Sequence, residues 1–124
     1  LLSSLAARLP SADAATYSAT KAGLSAFGRA LRFRLAPFGI SVTVVHPGHI
    51  DTAQTRQQSG SKALMLTPQK AAEKIMNGLA AGRAEVSFPL SARALITVHN
   101  LLPVSWQVRL AQMARFGVDN SALK

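Results

Sequence analysis

The sequence contains no cysteine. A disulfide framework and a thiolate metal site are therefore both excluded, and the composition fits a reducing compartment, so we expect a cytoplasmic protein. Histidine could also hold a metal, but the three histidines show neither ligand spacing nor an evident carboxylate partner. We expect structural roles for all three and no bound metal. They are His46, His49 and His99.

Long hydrophobic runs are also missing. No apolar run approaches the roughly 20 residues that span a bilayer, and the first residues lack the charged-then-apolar order of a secretory signal. Because 48% of the 124 residues are hydrophobic, the chain can still bury the core of one ordinary domain. We expect residues 1–124 to belong to one soluble, globular domain without a membrane partner.

Acidic residues are few, since five Asp and Glu stand against 14 Lys and Arg, for a net charge of +9. A clustered excess would suggest nucleic-acid binding, because Lys and Arg displace counterions from phosphates. Here the basic residues are scattered, and Arg29, Arg32 and Arg34 point in different directions around one predicted helix. The few aromatic residues are not interleaved with them as a stacking platform requires. We expect no nucleic-acid partner, with a small basic nucleic-acid-binding protein as an alternative.

The patterns that are present alternate between helix and strand. An apolar stripe with spacings of three and four predicts a long helix over residues 17–38, ended by Gly39. The stripe consists of Leu24, Phe27, Leu31, Leu35 and Phe38. The β-branched run at residues 40–45 then predicts a strand buried on both faces, which Pro47 and Gly48 stop.

The second half of the sequence continues this alternation. Residues 51–66 are polar and without a clear period, which indicates a loop or a short helix. Thr67 and Pro68 supply a cap and a first-turn proline for another helix, residues 85–89 resemble a short strand, and two amphipathic segments follow, split near Pro103. This order predicts an α/β fold with parallel strands and helices on both faces. Ligands of such sheets bind at the carboxyl ends of the strands.

The chain's only tyrosine, Tyr17, stands four residues before Lys21 at the start of the long helix. Residues at i and i+4 lie one turn apart on the same helix face, so the ammonium can lie close to the phenol. A nearby cation favours the phenolate, which suits Tyr17 to acid–base chemistry. Ser4 precedes Tyr17 by thirteen positions at a predicted strand end, and its hydroxyl can hold a substrate oxygen. Its neighbour Ser3 is expected to satisfy backbone groups.

Three elements follow one another along the chain: Ser4, the segment YSATK from Tyr17 to Lys21, and the segment PGHIDT that begins at Pro47. Together they resemble the C-terminal half of a short-chain dehydrogenase/reductase, and the resemblance covers nearly the whole chain. It implies a Rossmann-like, doubly wound parallel sheet, of which this chain forms the C-terminal catalytic half. It also implies NAD or NADP as cofactor, and hydride transfer between that cofactor and a small-molecule carbonyl or alcohol substrate.

The resemblance further implies roles for individual residues. Tyr17 would be the general acid/base, Ser4 would position the reacting oxygen, and Lys21 would hold the nicotinamide ribose. Besides Tyr17 and Lys21, the residues in contact with the cofactor would be Pro47, Gly48, Ile50 and Thr52. In that family the helix that carries the tyrosine pairs with its own copy, so a homodimer or homotetramer is expected.

Several features of the resembled family have no counterpart in this sequence. They are the Gly-rich turn, the residue that reads the adenosine ribose and the Asn-Asn-Ala-Gly segment. The first residues also resemble the end of a buried strand. We therefore expect a fragment whose activity requires an N-terminal half. The alternative is a non-catalytic interaction module that keeps the fold without the cofactor half.

Overall fold

The computed structural model describes residues 1–10, 14–51 and 65–115. The helices are α1 (Ala15–Leu35), α2 (Pro68–Ala80), α3 (Leu90–Leu101) and α4 (Val104–Arg115), and the strands are β1 (Val44–Pro47) and β2 (Glu85–Phe88). Two short 3₁₀ turns, Leu5–Ala7 and Ala36–Phe38, lie before and after α1. Among the helices in these ranges, none combines the length and the apolar character that crossing a bilayer requires.

The two strands pair in parallel, with Val44 opposite Glu85 and Val45 opposite Val86. Since α2 connects them, β1, α2 and β2 form a crossover unit, the connection that parallel neighbours require. Leu2 makes a further parallel bridge to Val45, so the first residues run beside β1 at its other edge. The predicted α/β fold with parallel strands is confirmed.

Strand β1 begins later than the β-branched run predicts, and residues 40–43 lie outside it. The carbonyl of Val42 accepts a hydrogen bond from Nη1 of Arg32 at 2.7 Å. A side chain rather than a neighbouring strand therefore satisfies this backbone group, and regular pairing starts only where Glu85 lies opposite Val44. The strand itself is buried along its whole length, as expected for one covered on both faces.

Different helices cover the two faces of the sheet. On one face, Gly28 of α1 approaches Val44 so closely that an added Cβ would lie 2.5 Å from a valine methyl. On the other face, Gly78 of α2 lies against Val86. This second face carries the apolar core, formed by Val45, Ala71, Val86 and Phe88. Glycine at each crossing lets the helix backbone lie close to the strands.

The buried face of α1 differs from its predicted apolar stripe. The residues that α1 buries are Ser18, Ser25 and Gly28. Two members of the stripe, Phe27 and Phe38, are 56% and 74% exposed. The close approach of α1 to β1 explains the difference, because only small side chains fit between a helix and a strand at this distance.

Helix α1 also ends at Leu35 rather than at residue 38. Pro37 explains this early end, because proline has no N–H to donate to the preceding turn and its ring clashes with that turn. The chain continues as a 3₁₀ turn and reverses at Gly39, whose φ of 71° lies in the left-handed region.

The predicted boundaries of the later helices are confirmed. The Thr67 side chain accepts a hydrogen bond from the Lys70 amide at 3.4 Å, and Pro68 occupies the first turn of α2. Helices α3 and α4 are separated at Pro103. The predicted loop at residues 51–66 falls largely outside the described residues.

Candidate functional site

Tyr17 and Lys21 lie one turn apart at the start of α1, as the four-residue spacing predicts. The Lys21 ammonium is 5.6 Å from the centre of the Tyr17 ring, close enough for a cation–π contact. Tyr17 is 49% exposed, so its ring is open to a ligand. The Lys21 ammonium also donates a hydrogen bond to the carbonyl of Leu2 at 3.1 Å.

Ser4 lies just before the 3₁₀ turn Leu5–Ala7, which packs against α1. The Ser4 hydroxyl oxygen caps this turn by accepting a hydrogen bond from the Ala6 amide at 3.2 Å. That bond does not use the hydroxyl proton, which is left for another acceptor. In the described part of the chain, no hydrogen bond joins Ser4 to Tyr17.

Pro47 and Gly48 lie at the carboxyl end of β1, beside the segment that carries Ser4. The Gly48 amide donates to the carbonyl of Phe88 at 2.8 Å. A Cβ on Gly48 would lie 3.2 Å from that carbonyl and 3.4 Å from a methyl of Leu5, the residue after Ser4. The ends of β1 and β2 are therefore close neighbours, and a side chain at position 48 would be crowded by the atoms around it.

Ile50 lies two residues after Gly48 and forms a parallel bridge with Leu66. Both side chains pack against the apolar core on the α2 face. Residues 50 and 66 are therefore neighbours in space. Thr52, the last predicted cofactor contact, lies outside the described residues.

A buried polar network adjoins the backbone carbonyl of Lys21, which accepts a hydrogen bond from the Ser25 hydroxyl. Nε2 of His46, on β1, is 3.1 Å from the Ser25 hydroxyl on α1. His46 is fully buried. Burial, followed by the charge of Arg8, lowers the pKa of His46 from its ordinary 6.5 to about 4, although Glu85 opposes the shift. The ring is therefore neutral at physiological pH.

Glu85, at the start of β2, joins two other elements to the sheet. Its carboxylate pairs with Arg8 and, at 2.8 Å, with Nε of Arg29 on α1. Burial alone would raise the pKa of Glu85, but the hydrogen bond from Arg29 and the charge of Arg8 outweigh it and lower that pKa. These ion pairs hold α1 and the chain after the first 3₁₀ turn against β2.

Sequence reasoning found the Tyr17–Lys21 pair but missed the contribution of Ser25 and assigned His46 no specific partner. The signal for Ser25 was its position four residues after Lys21, which places both on one helix face. No sequence pattern indicated His46, because its partner Ser25 belongs to another element and the contact exists only after packing.

Parallel strands with helices on both faces, a Tyr–Lys pair at the start of α1 and a glycine at the end of β1 are typical of a Rossmann-like α/β protein. The short chain dehydrogenase family model matches residues 1–63, about half of the sequence. The chain belongs to this family.

Individual proteins with similar sequences or structures are also oxidoreductases or short chain dehydrogenases. An uncharacterized oxidoreductase of Myxococcus xanthus (strain DK1622) is 34% identical over 102 residues, which cover 82% of this chain and 40% of the relative. A short chain dehydrogenase from Burkholderia cenocepacia J2315, solved in complex with NADP, superposes with a TM-score of 0.72 at 25% identity, over 90% of this chain and 46% of that one.

A second solved structure, a short-chain dehydrogenase from Streptomyces avermitilis, is 28% identical with a TM-score of 0.63. The superposition covers 95% of this chain and 51% of that protein. The chain therefore spans about half or less of the length of these relatives, while most of its own length is matched.

Proposed function

We propose that the protein is an NAD(P)-dependent oxidoreductase that transfers a hydride between a nicotinamide cofactor and a carbonyl or alcohol substrate. This chain would supply the C-terminal catalytic half of a single Rossmann-like domain. Membership of the short chain dehydrogenase family supports the reaction class. The NADP that the Burkholderia relative binds supports the cofactor.

The observation that carries the proposal is the position of the Lys21 ammonium 5.6 Å from the centre of the exposed Tyr17 ring. The ammonium holds the ring by a cation–π contact, and the exposed phenol of Tyr17 can exchange a proton with a bound substrate. Ser4 precedes a turn that packs against the same helix. Ser4 follows the residues that run beside β1, and the Lys21 ammonium contacts one of these residues, Leu2. Sheets of this kind bind ligands at the carboxyl ends of their strands, which supports a site here.

Carbonyl reduction adds a hydride to the carbonyl carbon and a proton to its oxygen. The nicotinamide cofactor supplies the hydride when it is bound. Tyr17 donates the proton to the oxygen, and Ser4 donates a hydrogen bond to the same oxygen and so fixes its position. Lys21 stays in contact with the Tyr17 ring and would hold the nicotinamide ribose. In alcohol oxidation, Tyr17 takes the proton back.

The residues at the strand ends fit a nicotinamide nucleoside. Lys21 is half-buried and Tyr17 is exposed, so an ammonium and a phenol are both accessible to ribose hydroxyls. Pro47, Gly48 and Ile50 would line the nicotinamide, together with Thr52.

We also propose a homodimer or homotetramer that assembles through α1, in a cytoplasmic protein. The support is the apolar surface that α1 leaves exposed, since Phe33 is 80% exposed and Phe27, on another side of the helix, is 56% exposed. Apolar surface of this kind on a helix is typical of an interface between subunits.

The direct test uses the full-length gene product, purified and assayed for oxidation of NADPH or NADH with a panel of aldehydes and ketones. Tyr17→Phe keeps the ring but removes the transferable proton, so turnover should fall by about 100-fold or more. Binding of the reduced cofactor, followed by nicotinamide fluorescence, should change little in this variant.

Lys21→Met should lower both turnover and cofactor affinity. Lys74→Met removes an exposed lysine of α2 and is the matched control, for which we expect normal kinetics. Near-normal turnover in Tyr17→Phe would overturn the proposed role of the tyrosine. A full-length protein that binds neither cofactor would favour the non-catalytic module.

A further inference from the structure

Lys21 forms hydrogen bonds with the segment that precedes Ser4 through both its side chain and its backbone. Its ammonium donates to the carbonyl of Leu2 at 3.1 Å, and its own backbone carbonyl accepts a hydrogen bond from the Ser3 hydroxyl at 2.9 Å. These two bonds join α1 to residues that are far away in sequence. Ser3 is also tied to β1, because its amide donates to the carbonyl of Val45 at 2.8 Å.

Two further side chains complete this connection. The Ser25 hydroxyl donates to the same Lys21 carbonyl at 2.9 Å, and its oxygen is 2.8 Å from that of Ser3. On its other side it lies 3.1 Å from Nε2 of His46. Ser3, Ser25 and His46, which we call the Ser–His network, are 2%, 5% and 0% exposed. Water therefore has little access to these hydrogen bonds.

The protons in this network have one favoured arrangement. Each serine has one hydroxyl proton, and a neutral histidine ring has a proton on only one nitrogen. Among the described residues Nδ1 of His46 has no hydrogen-bond partner, and a buried bare acceptor is tolerated better than a buried unpaired N–H. The proton therefore belongs on Nε2, which donates to Ser25. Ser25 then donates its own proton to the Lys21 carbonyl, and the Ser3 proton is shared between that carbonyl and the Ser25 oxygen.

We propose that the Ser–His network positions Lys21 relative to the segment carrying Ser4. This proposal rests on the function proposed above. Ser25 is the central positioning residue, because among the described residues it is the one that contacts each of Ser3, Lys21 and His46. The three residues touch neither substrate nor cofactor in this scheme, and they act only through the placement of Lys21.

The physical reason is that the site is assembled from two separate pieces of chain. Tyr17 and Lys21 belong to α1, whereas Ser4 follows the residues that run beside β1. A misplacement of about 1 Å between such groups lowers turnover by up to about 100-fold. Buried hydrogen bonds with fixed partners hold the two pieces more firmly than apolar contacts do, because they are directional.

Ser25→Ala in the full-length protein is the first test. Turnover should fall about tenfold and the Michaelis constant for the cofactor should rise, because Lys21 serves both, whereas the Michaelis constant for the substrate should change by less than about twofold. The matched control is Thr97→Ala. Its hydroxyl donates to the carbonyl four residues back, that of Arg93, at 2.9 Å, but on the exposed side of α3. This control should keep normal kinetics.

His46 provides a rescue comparison. His46→Leu fills similar space without a donor and should reproduce the loss of turnover seen in Ser25→Ala. His46→Gln keeps an N–H near the position of Nε2 and should restore most of the turnover. The double variant of Ser25→Ala and His46→Leu should lose little more than either single variant, since both remove the same connection.

Amide hydrogen exchange of the cofactor-free protein tests the network without any turnover. In Ser25→Ala, residues 1–5 and 17–25 should exchange faster than in Thr97→Ala, by about threefold or more, because the bonds that join these segments are lost.

The outcomes separate the two proposals. Faster exchange in a full-length protein that reduces no carbonyl would refute the proposed function and leave the network as the link between these segments. Unchanged exchange in Ser25→Ala would refute the network. Turnover within about twofold of wild type in a less stable Ser25→Ala would show that the network only supports the fold, which would overturn its positioning role.

Discussion

The Ser25 hydroxyl lies 3.1 Å from Nε2 of His46, in the interior between α1 and β1. This contact places a titratable ring where water cannot reach it, since His46 is fully buried. The charged groups that act on the ring come from several elements: Arg8 follows the first 3₁₀ turn, Glu85 begins β2, Arg29 belongs to α1 and Arg93 belongs to α3. Protonation of His46 would therefore disturb the contact between α1 and β1.

We predict that His46 makes the stability of the fold depend on pH. Burial lowers its pKa from 6.5 to about 4, so between these values the unfolded chain binds a proton that the folded chain does not. Neutral His46 therefore contributes to the free energy of unfolding. This contribution is fully present above pH about 6.5 and is lost as the pH falls towards about 4, and it amounts to up to roughly 3 kcal/mol.

Urea unfolding at several pH values measures this effect. His46→Gln should flatten the dependence between pH about 4 and about 6.5, whereas His49→Gln, at an exposed position, should not. The same steep dependence in His46→Gln would contradict the assignment.

Glu85→Gln should destabilise the protein by about 1–3 kcal/mol, because Arg8 and Arg29 both lose a charged partner that is only 26% exposed. The lowered pKa of Glu85 adds a second effect. The stability that it contributes is present above its ordinary pKa of 4.5 and is lost as the pH falls through the lower folded value. Thermal unfolding at neutral pH is the measurement, with the exposed Glu73→Gln as control. Equal melting temperatures in the two variants would exclude the proposed stabilising role.

Replacing either of two glycines of α1 with alanine should change the stability of the protein, but in opposite directions. At Gly28 a Cβ would lie 2.5 Å from a methyl of Val44 and 2.8 Å from one of Leu1, so Gly28→Ala should destabilise the protein by about 1–3 kcal/mol. At Gly23 a Cβ would meet nothing within 4 Å. Gly23→Ala should therefore stabilise the helix by up to about 1 kcal/mol. Denaturant unfolding of both variants checks the close packing of α1 on β1, and a neutral Gly28→Ala would refute it.

Phe33→Glu should shift the full-length protein from a homodimer or homotetramer towards a monomer. Phe33 is 80% exposed on α1, and a carboxylate in an apolar interface would be desolvated without a partner. Light scattering measures the change in mass. Met76→Glu, at a position that is 64% exposed on α2, is the control and should leave the mass unchanged. A wild-type protein that is already a stable monomer would contradict the assembly proposal.

The order of helices and strands was encoded locally, and the sequence was sufficient to predict it. Thr67 and Pro68 begin α2 because a capping hydroxyl and a proline suit a first turn in any context. The Tyr17–Lys21 pair was equally predictable, since residues four apart on a helix are neighbours whatever the helix packs against.

Only the tertiary structure decided which face of α1 is buried and how the chemical groups are held. The apolar stripe predicted one face, yet the helix buries Ser18, Ser25 and Gly28, because close approach to β1 selects small side chains over large apolar ones. The partners of Ser25, on the segment before Ser4 and on β1, are distant in sequence and meet it only when α1 packs against the strand. Helix periodicity records the spacing of residues along one element, whereas these contacts depend on the distance between elements.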